Sequence, residues 1–221
     1  MKKFILPLLL ILTVGMLAAV ESEPSAIVGY VKYDMLVGNN LVAIPMECPW
    51  QWASELGDSF GGSVDQISYW DATNQLFMAA ANLGGFWDGD FEIDSGYVLM
   101  VYTYSPTTLY SIGNLPATNA SYNLVSGNNT VMIPLNCNSF SWASEVGDNM
   151  TAGGVDQVSY WDNTNQLFMT AANLGGFWDG DFPVSIAMPL MVYSYAPFTW
   201  PSAPPAKSHI TPSSSKERSK R

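Results

Sequence analysis

Residues 64–91 read VDQISYWDATNQLFMAAANLGGFWDGDF, and residues 155–182 read VDQVSYWDNTNQLFMTAANLGGFWDGDF. The two stretches differ only at Ile67/Val158, Ala72/Asn163 and Ala79/Thr170. A chain of 221 residues that carries one segment twice, about 90 residues apart, is constrained to two like modules, because that spacing is itself the size of a small domain. Modules of this size bury a thin core, and packing one on the other would thicken it. The division is a first β module over 27–112 and a second over 117–201.

Within each copy the pattern is that of strands and turns. Val28 to Val37 is a strand-rich entry that ends in Gly38-Asn39-Asn40, and Leu41 to Ile44 is a short strand stopped by Pro45. The second copy repeats this from Tyr122 through Gly127-Asn128-Asn129 to Pro134. Pro49 suits the first position of a helix, on which Trp52, Leu56 and Phe60 make one apolar face and Gly57 ends the regular part. Phe140, Ala143, Val146 and Met150 repeat that face. Asp71-Ala72-Thr73-Asn74 is a turn with Asp at its favoured first place, so the duplicated stretch opens as a hairpin. Tyr97 to Tyr104 is apolar on both faces, which suits a central strand, and Leu190 to Tyr195 is its counterpart. The expected core is Ile67, Tyr69, Phe77, Leu99 and Val101 in one copy, and Val158, Tyr160, Phe168, Leu190 and Val192 in the other. Ser111 to Ala120 reads as the junction. The fold class is mainly β: two tandem, sandwich-like modules, each with one short helix.

Charge restricts the partners. Between residues 26 and 202 there are 16 Asp and Glu against Lys32 alone, a formal charge of −15. Such a body repels phosphate backbones, which excludes nucleic acid as its partner. Basic residues collect instead in the tail, 202–221, whose Pro, Ser and Lys composition reads as disordered. Its end, SSSKERSKR, suits either an anionic surface or plain solvation. At the other end, Lys2 and Lys3 precede the uncharged run Phe4–Val20, with Ala18 and Ala19 before Glu21. Residues 1–22 therefore read as a secretory signal, which places the protein outside the cell or on its surface. Membrane attachment would come only through an uncleaved signal.

The order LVAIP, ASELGD, SYWDATNQ, DF and PLMV resembles a repeated β module of secreted and cell-surface proteins of bacteria. The likeness runs over residues 28–112 and 117–201. The Pro-Gly usual before the closing strand is replaced by Asp94-Ser95-Gly96 and by Ser185 to Pro189. The resemblance implies a structural or binding module outside the cell and no catalytic residues; of these, an exported structural or adhesion module is the expected function.

Candidate chemistry is sparse. His209, the one histidine, lies in the tail, so the modules hold no Ser-His-Asp or Cys-His nucleophile and no His-ligated metal. No metal site is assigned and no enzyme is expected. Asp88 with Asp90, and Asp179 with Asp181, flank a glycine. Paired carboxylates serve turns, calcium or glycoside cleavage. The turn is the favoured reading, because neither loop carries the fuller set of calcium ligands. Trp87 and Trp178 stand beside these acids and leave two readings. They fill a small core, or they stack on sugars in a carbohydrate-binding module assisted by calcium. Cys48 and Cys137 hold equivalent places and are either a disulfide or two buried thiols. A surface protein or a glycan remains the partner class.

Overall fold

The computed structural model describes residues 28–137 and 139–201. The expected signal segment, 1–22, and the expected disordered tail, 202–221, lie outside the described residues. The chain is mainly β, a tandem pair of sandwich-like units with few helices. In the first, β1 (Val28–Met35) and β2 (Gly38–Ala43) lead to helix α1 (Ala53–Asp58). Strands β3 (Val64–Asp71), β4 (Leu76–Asn82), β5 (Trp87–Asp88), β6 (Val98–Thr103) and β7 (Thr107–Asn114) follow. The second repeats the series as β8 (Tyr122–Leu124), β9 (Gly127–Met132), α2 (Ala143–Asn149), β10 (Gln157–Asp162), β11 (Leu167–Asn173), β12 (Trp178–Asp179), β13 (Pro189–Ser194) and β14 (Phe198–Trp200).

The antiparallel five-stranded sheets have orders β2-β6-β3-β4-β5 and β9-β13-β10-β11-β12, and two-stranded ribbons β1–β7 and β8–β14 complete the modules. Alternation along the strands sends successive side chains to opposite faces. On one face Val42, Ile44, Ile67, Leu99 and Val101 bury against Leu56 of α1 and against Met35 and Leu109 of the ribbon. On the other face Leu41, Ala43, Val98 and Met100 pack with Phe77, Met132, Trp161 and Phe168. The second face therefore meets the other module, which is why β6 is apolar on both sides. The expected core residues are buried at Ile67, Leu99, Val101, Val158, Leu190 and Val192, and half-buried at Tyr69, Phe77, Tyr160 and Phe168.

Three boundaries differ from expectation. The helix starts at Ala53 rather than at Pro49, because its first amides find partners only there. Ala53 N–H donates to Phe91 O at 2.9 Å, and the Glu55 carboxylate takes Gln51 N–H at 2.7 Å. Gly38-Asn39-Asn40 is not a free turn but the start of β2. The chain reverses just before it, held by Asn40, whose side chain accepts Leu36 N–H at 2.8 Å and donates to Leu36 O at 2.7 Å. Strand β7 continues to Asn114, so the first module runs beyond residue 112 and the junction is only 115–121.

The modules clasp one another reciprocally. Trp70 indole N–H and the Gln75 amide both donate to Asn128 O, at 2.8 and 3.0 Å, while Gln75 Oε1 accepts Asn128 N–H at 2.8 Å. In the mirror arrangement Trp161 and Gln166 donate to Asn39 O, at 2.8 and 3.0 Å, and Gln166 Oε1 accepts Asn39 N–H at 2.7 Å. Gln75 and Gln166 hold φ of 57° and 56°, and this left-handed turn aims their side chains across the interface. A second reciprocal pair lies deeper. Tyr33 hydroxyl donates to Ala187 O at 2.8 Å, and Tyr122 hydroxyl donates to Gly96 O at 2.9 Å.

Two predictions follow from the clasp. Gly38 has φ +102°, and a Cβ there would stand 2.5 Å from Gln166 Oε1. Gly38→Ala should therefore cost about 1–3 kcal/mol from the backbone alone, read by urea unfolding. Combined with Gln166→Ala it should cost less than the sum of the two changes, because both break one contact. Burial pushes the Tyr33 and Tyr122 hydroxyls well above the usual tyrosine range. The folded state then favours the neutral phenols, so their contribution is full below about pH 10 and falls as pH rises past it. Alkaline melts should show this fall, and Tyr33→Phe with Tyr122→Phe should flatten it.

Candidate functional site

The acidic loop of the first module straps across α1. At the helix start Asp90 Oδ1 accepts Ser54 N–H at 3.0 Å and Phe91 N–H at 3.0 Å, and Oδ2 accepts the Ser54 hydroxyl at 2.6 Å. An acid at this end satisfies a free amide and opposes the positive pole of the helix. At the other end Trp87 indole N–H donates to Asp58 Oδ1 at 2.9 Å. Its ring lies so close over Gly57 that a Cβ there would come within 2.2 Å of it. Close approach is what requires glycine at this helical position.

The second loop repeats every contact. Asp181 takes Ser144 N–H at 2.9 Å and its hydroxyl at 2.7 Å, and Trp178 donates to Asp148 at 3.0 Å over Gly147. Asp88 and Asp179 are exposed. The structure thus gives the two acids of each loop different surroundings: one holds a helix and the other faces water. Among the described residues no three of His, Cys, Asp and Glu gather as a metal site. Cys48 and Cys137 are free thiols packed against different cores, so the structure does not join them as a disulfide. Burial raises both above the ordinary thiol range, and Cys48 contacts the Ser111 hydroxyl at 3.1 Å.

A cleft of about 560 Å³ opens beside α1 and brings Trp52, Asp94 and Tyr97 together with Glu47, Trp50 and Glu92, to which the sequence assigns no role. One wall is the segment before the helix and the other is 92–97. They are tied by Ile93 N–H to Gln51 O at 2.9 Å and by Ile44 N–H to Tyr97 O at 2.9 Å. Trp50, Trp52 and Tyr97 line it, as do Glu47, Glu92 and Asp94. Trp50 is half-buried, and Trp52 and Tyr97 are each 39% exposed. The Tyr97 hydroxyl is raised above its usual range by burial, then by the charges of Tyr69, Asp94 and Glu92. The signal in the sequence was the contrast between copies: Glu47, Glu92 and Asp94 are matched by Asn136, Pro183 and Ser185.

No helix among the described residues is long and apolar enough to cross a membrane. Comparison with family models, curated proteins and solved structures finds no match.

Asp90→Ala should lower stability by about 1–2 kcal/mol through loss of the helix start, whereas Asp88→Ala should stay within about 0.5 kcal/mol. Thermal melts compare the two. Millimolar calcium should leave the melting temperature unchanged, and a rise that Asp88→Ala abolishes would mean that the loop holds the metal.

Proposed function

We propose that the chain is an exported, non-enzymatic structural or adhesion unit of the bacterial surface or extracellular space. One observation carries this reading: the four indoles of the repeat, with Asp90, Asp181, Gln75 and Gln166, are engaged in holding the fold together. Asp90 and Asp181 hold helices, Trp87 and Trp178 cover helical glycines, and Trp70, Gln75, Trp161 and Gln166 hold the other module. Beside exposed acids such as Asp88 and Asp179, the repeat offers large apolar side chains to solvent. At the hairpin tips Leu83 and Phe86 are 68% and 66% exposed, and Leu174 and Phe177 are 67% and 66% exposed. Leu83 N–H closes each tip onto Phe86 O at 2.7 Å, with Leu174 and Phe177 doing the same, so these side chains stand on a fixed turn. Duplicated, rigid apolar points are a means of contact with another surface. Stacking on sugars through Trp87 and Trp178 is the weaker reading, since both indoles are pinned and half-buried.

Fractionation of cells producing the full chain should place it in the envelope or the medium, and retention in the cytoplasm would defeat the proposal. Phe86→Ser with Phe177→Ser should keep stability within about 0.5 kcal/mol while reducing adherence of the producing cells.

A further inference from the structure

We infer that the cleft of the first module binds an organic cation, the ammonium or guanidinium group of a basic peptide segment. The inference deepens the adhesion reading and rests on it, by naming the partner class. It starts from the shape and chemistry of the cleft. A volume of about 560 Å³ lies within the range of small-ligand sites, about 300–1,000 Å³. Trp50, Trp52 and Tyr97 are among its lining residues, and aromatic rings of this kind attract cations through the negative charge of their π faces. Glu47, Glu92 and Asp94 are exposed carboxylates, which when ionised accept hydrogen bonds and donate none. A group that fits both surfaces is positive and rich in N–H donors.

Competing ligands fit less well. An anion would meet three carboxylates and no base. Lys32, the only base of residues 28–201, is paired with Asp34 at 2.7 Å. A neutral sugar would find donors in the Trp50 and Trp52 indoles, the Tyr97 hydroxyl, the Gln51 amide and the Ser95 hydroxyl, but it would leave the charge of three carboxylates uncompensated, which a cation does not. A cleft lined by one sign of charge on an acidic body also concentrates counter-ions at its mouth.

The second module serves as an internal control. At the places of Glu47, Glu92 and Asp94 it carries Asn136, Pro183 and Ser185, and Phe140 and Met188 stand for Trp50 and Tyr97. Two copies that agree almost completely over 64–91 and 155–182 part company at the cleft, which loses every charge, exchanges Trp50 for the weaker π face of Phe140 and loses the ring of Tyr97. The site therefore belongs to one module, and one peptide segment per chain is expected.

Two sources can present the cation: another protein, or the basic residues Lys216, Arg218, Lys220 and Arg221 of this chain. The test is calorimetric titration of the full chain with a free peptide of residues 207–221, with an unrelated Lys/Arg peptide of equal charge, and with cellohexaose. The background variant has those four basic residues changed to Gln. Both peptides should bind in that background, more weakly as salt is raised, and cellohexaose should give no heat. Adding Glu47→Gln, Glu92→Gln and Asp94→Asn should weaken peptide binding at least ~10-fold, as expected when close charge pairs are lost. These exposed carboxyl-to-amide changes preserve shape, and an unchanged near-ultraviolet dichroism spectrum will verify the fold. Tighter binding in the background variant than in the natural chain assigns the cation to the chain's own tail, and equal binding assigns it to a separate protein. Undiminished affinity in the amide variant, no binding of either peptide, or binding of cellohexaose alone overturns the inference. Because the titration uses purified protein, its failure is distinct from a failure of the exported placement.

Discussion

Two backbone carbonyls hold this molecule in its arrangement. Asn39 O and Asn128 O each receive an indole N–H and an amide N–H from the opposite module, which fills both lone pairs. Neither donor is free to move. The indoles lie edge-on to Phe77 and Phe168, at centroid separations of 4.9 Å, and the Gln side chains leave a left-handed turn. A hydrogen bond of this kind contributes about 0.5–1.5 kcal/mol net, but a buried group left without its partner costs more. The clasp thus acts chiefly by excluding other alignments of the sheets, while Leu41, Ala43, Val98, Met100 and Met132 supply the apolar contact beneath it.

The same economy of residues explains why the duplicated stretch is so nearly invariant between copies. Several of its aromatic and polar positions serve a partner outside the stretch: Asp90 the helix, Trp87 the glycine on that helix, and Trp70 and Gln75 the opposite module. The three positions that differ are the ones with slack. Ile67 and Val158 fill equivalent core places, and Ala72 becomes Asn163 at an exposed turn, where it reaches Asp34 O at 3.4 Å. Ala79 becomes Thr170, whose hydroxyl meets Ser159 at 2.8 Å, while Ser68 in the first copy takes the Gln66 amide instead.

What was legible in the sequence was local. The Asp71 turn needs only its own carboxylate, which accepts Thr73 and Asn74 N–H at 2.9 and 3.0 Å and is held below the usual range, first by the Asn74 side chain. The both-sided apolarity of β6 correctly announced a strand covered twice. The helix start was misplaced because the groups that fix it, Phe91 O and the Asp90 carboxylate, lie 36 or more residues away from their partners. The clasp was hidden for the same reason, with Trp161 and Asn39 separated by 122 residues. No periodicity in Gln75 or Gln166 discloses a bond to another module. The cleft is not legible in the sequence because its aromatic residues lie on two segments, one before the helix and one before β6, and each alone reads as core filling.

The clasp also sets a limit on growth. Each module offers its sheet face and its Asn-bearing strand to the other, and receives the same in return, so the contact is self-complementary and is used up at two. A chain built from head-to-tail repeats would leave one such face open at each end and invite a third member. Here the pair closes on itself, and any larger assembly must be made through outer surfaces that the modules do not share with each other.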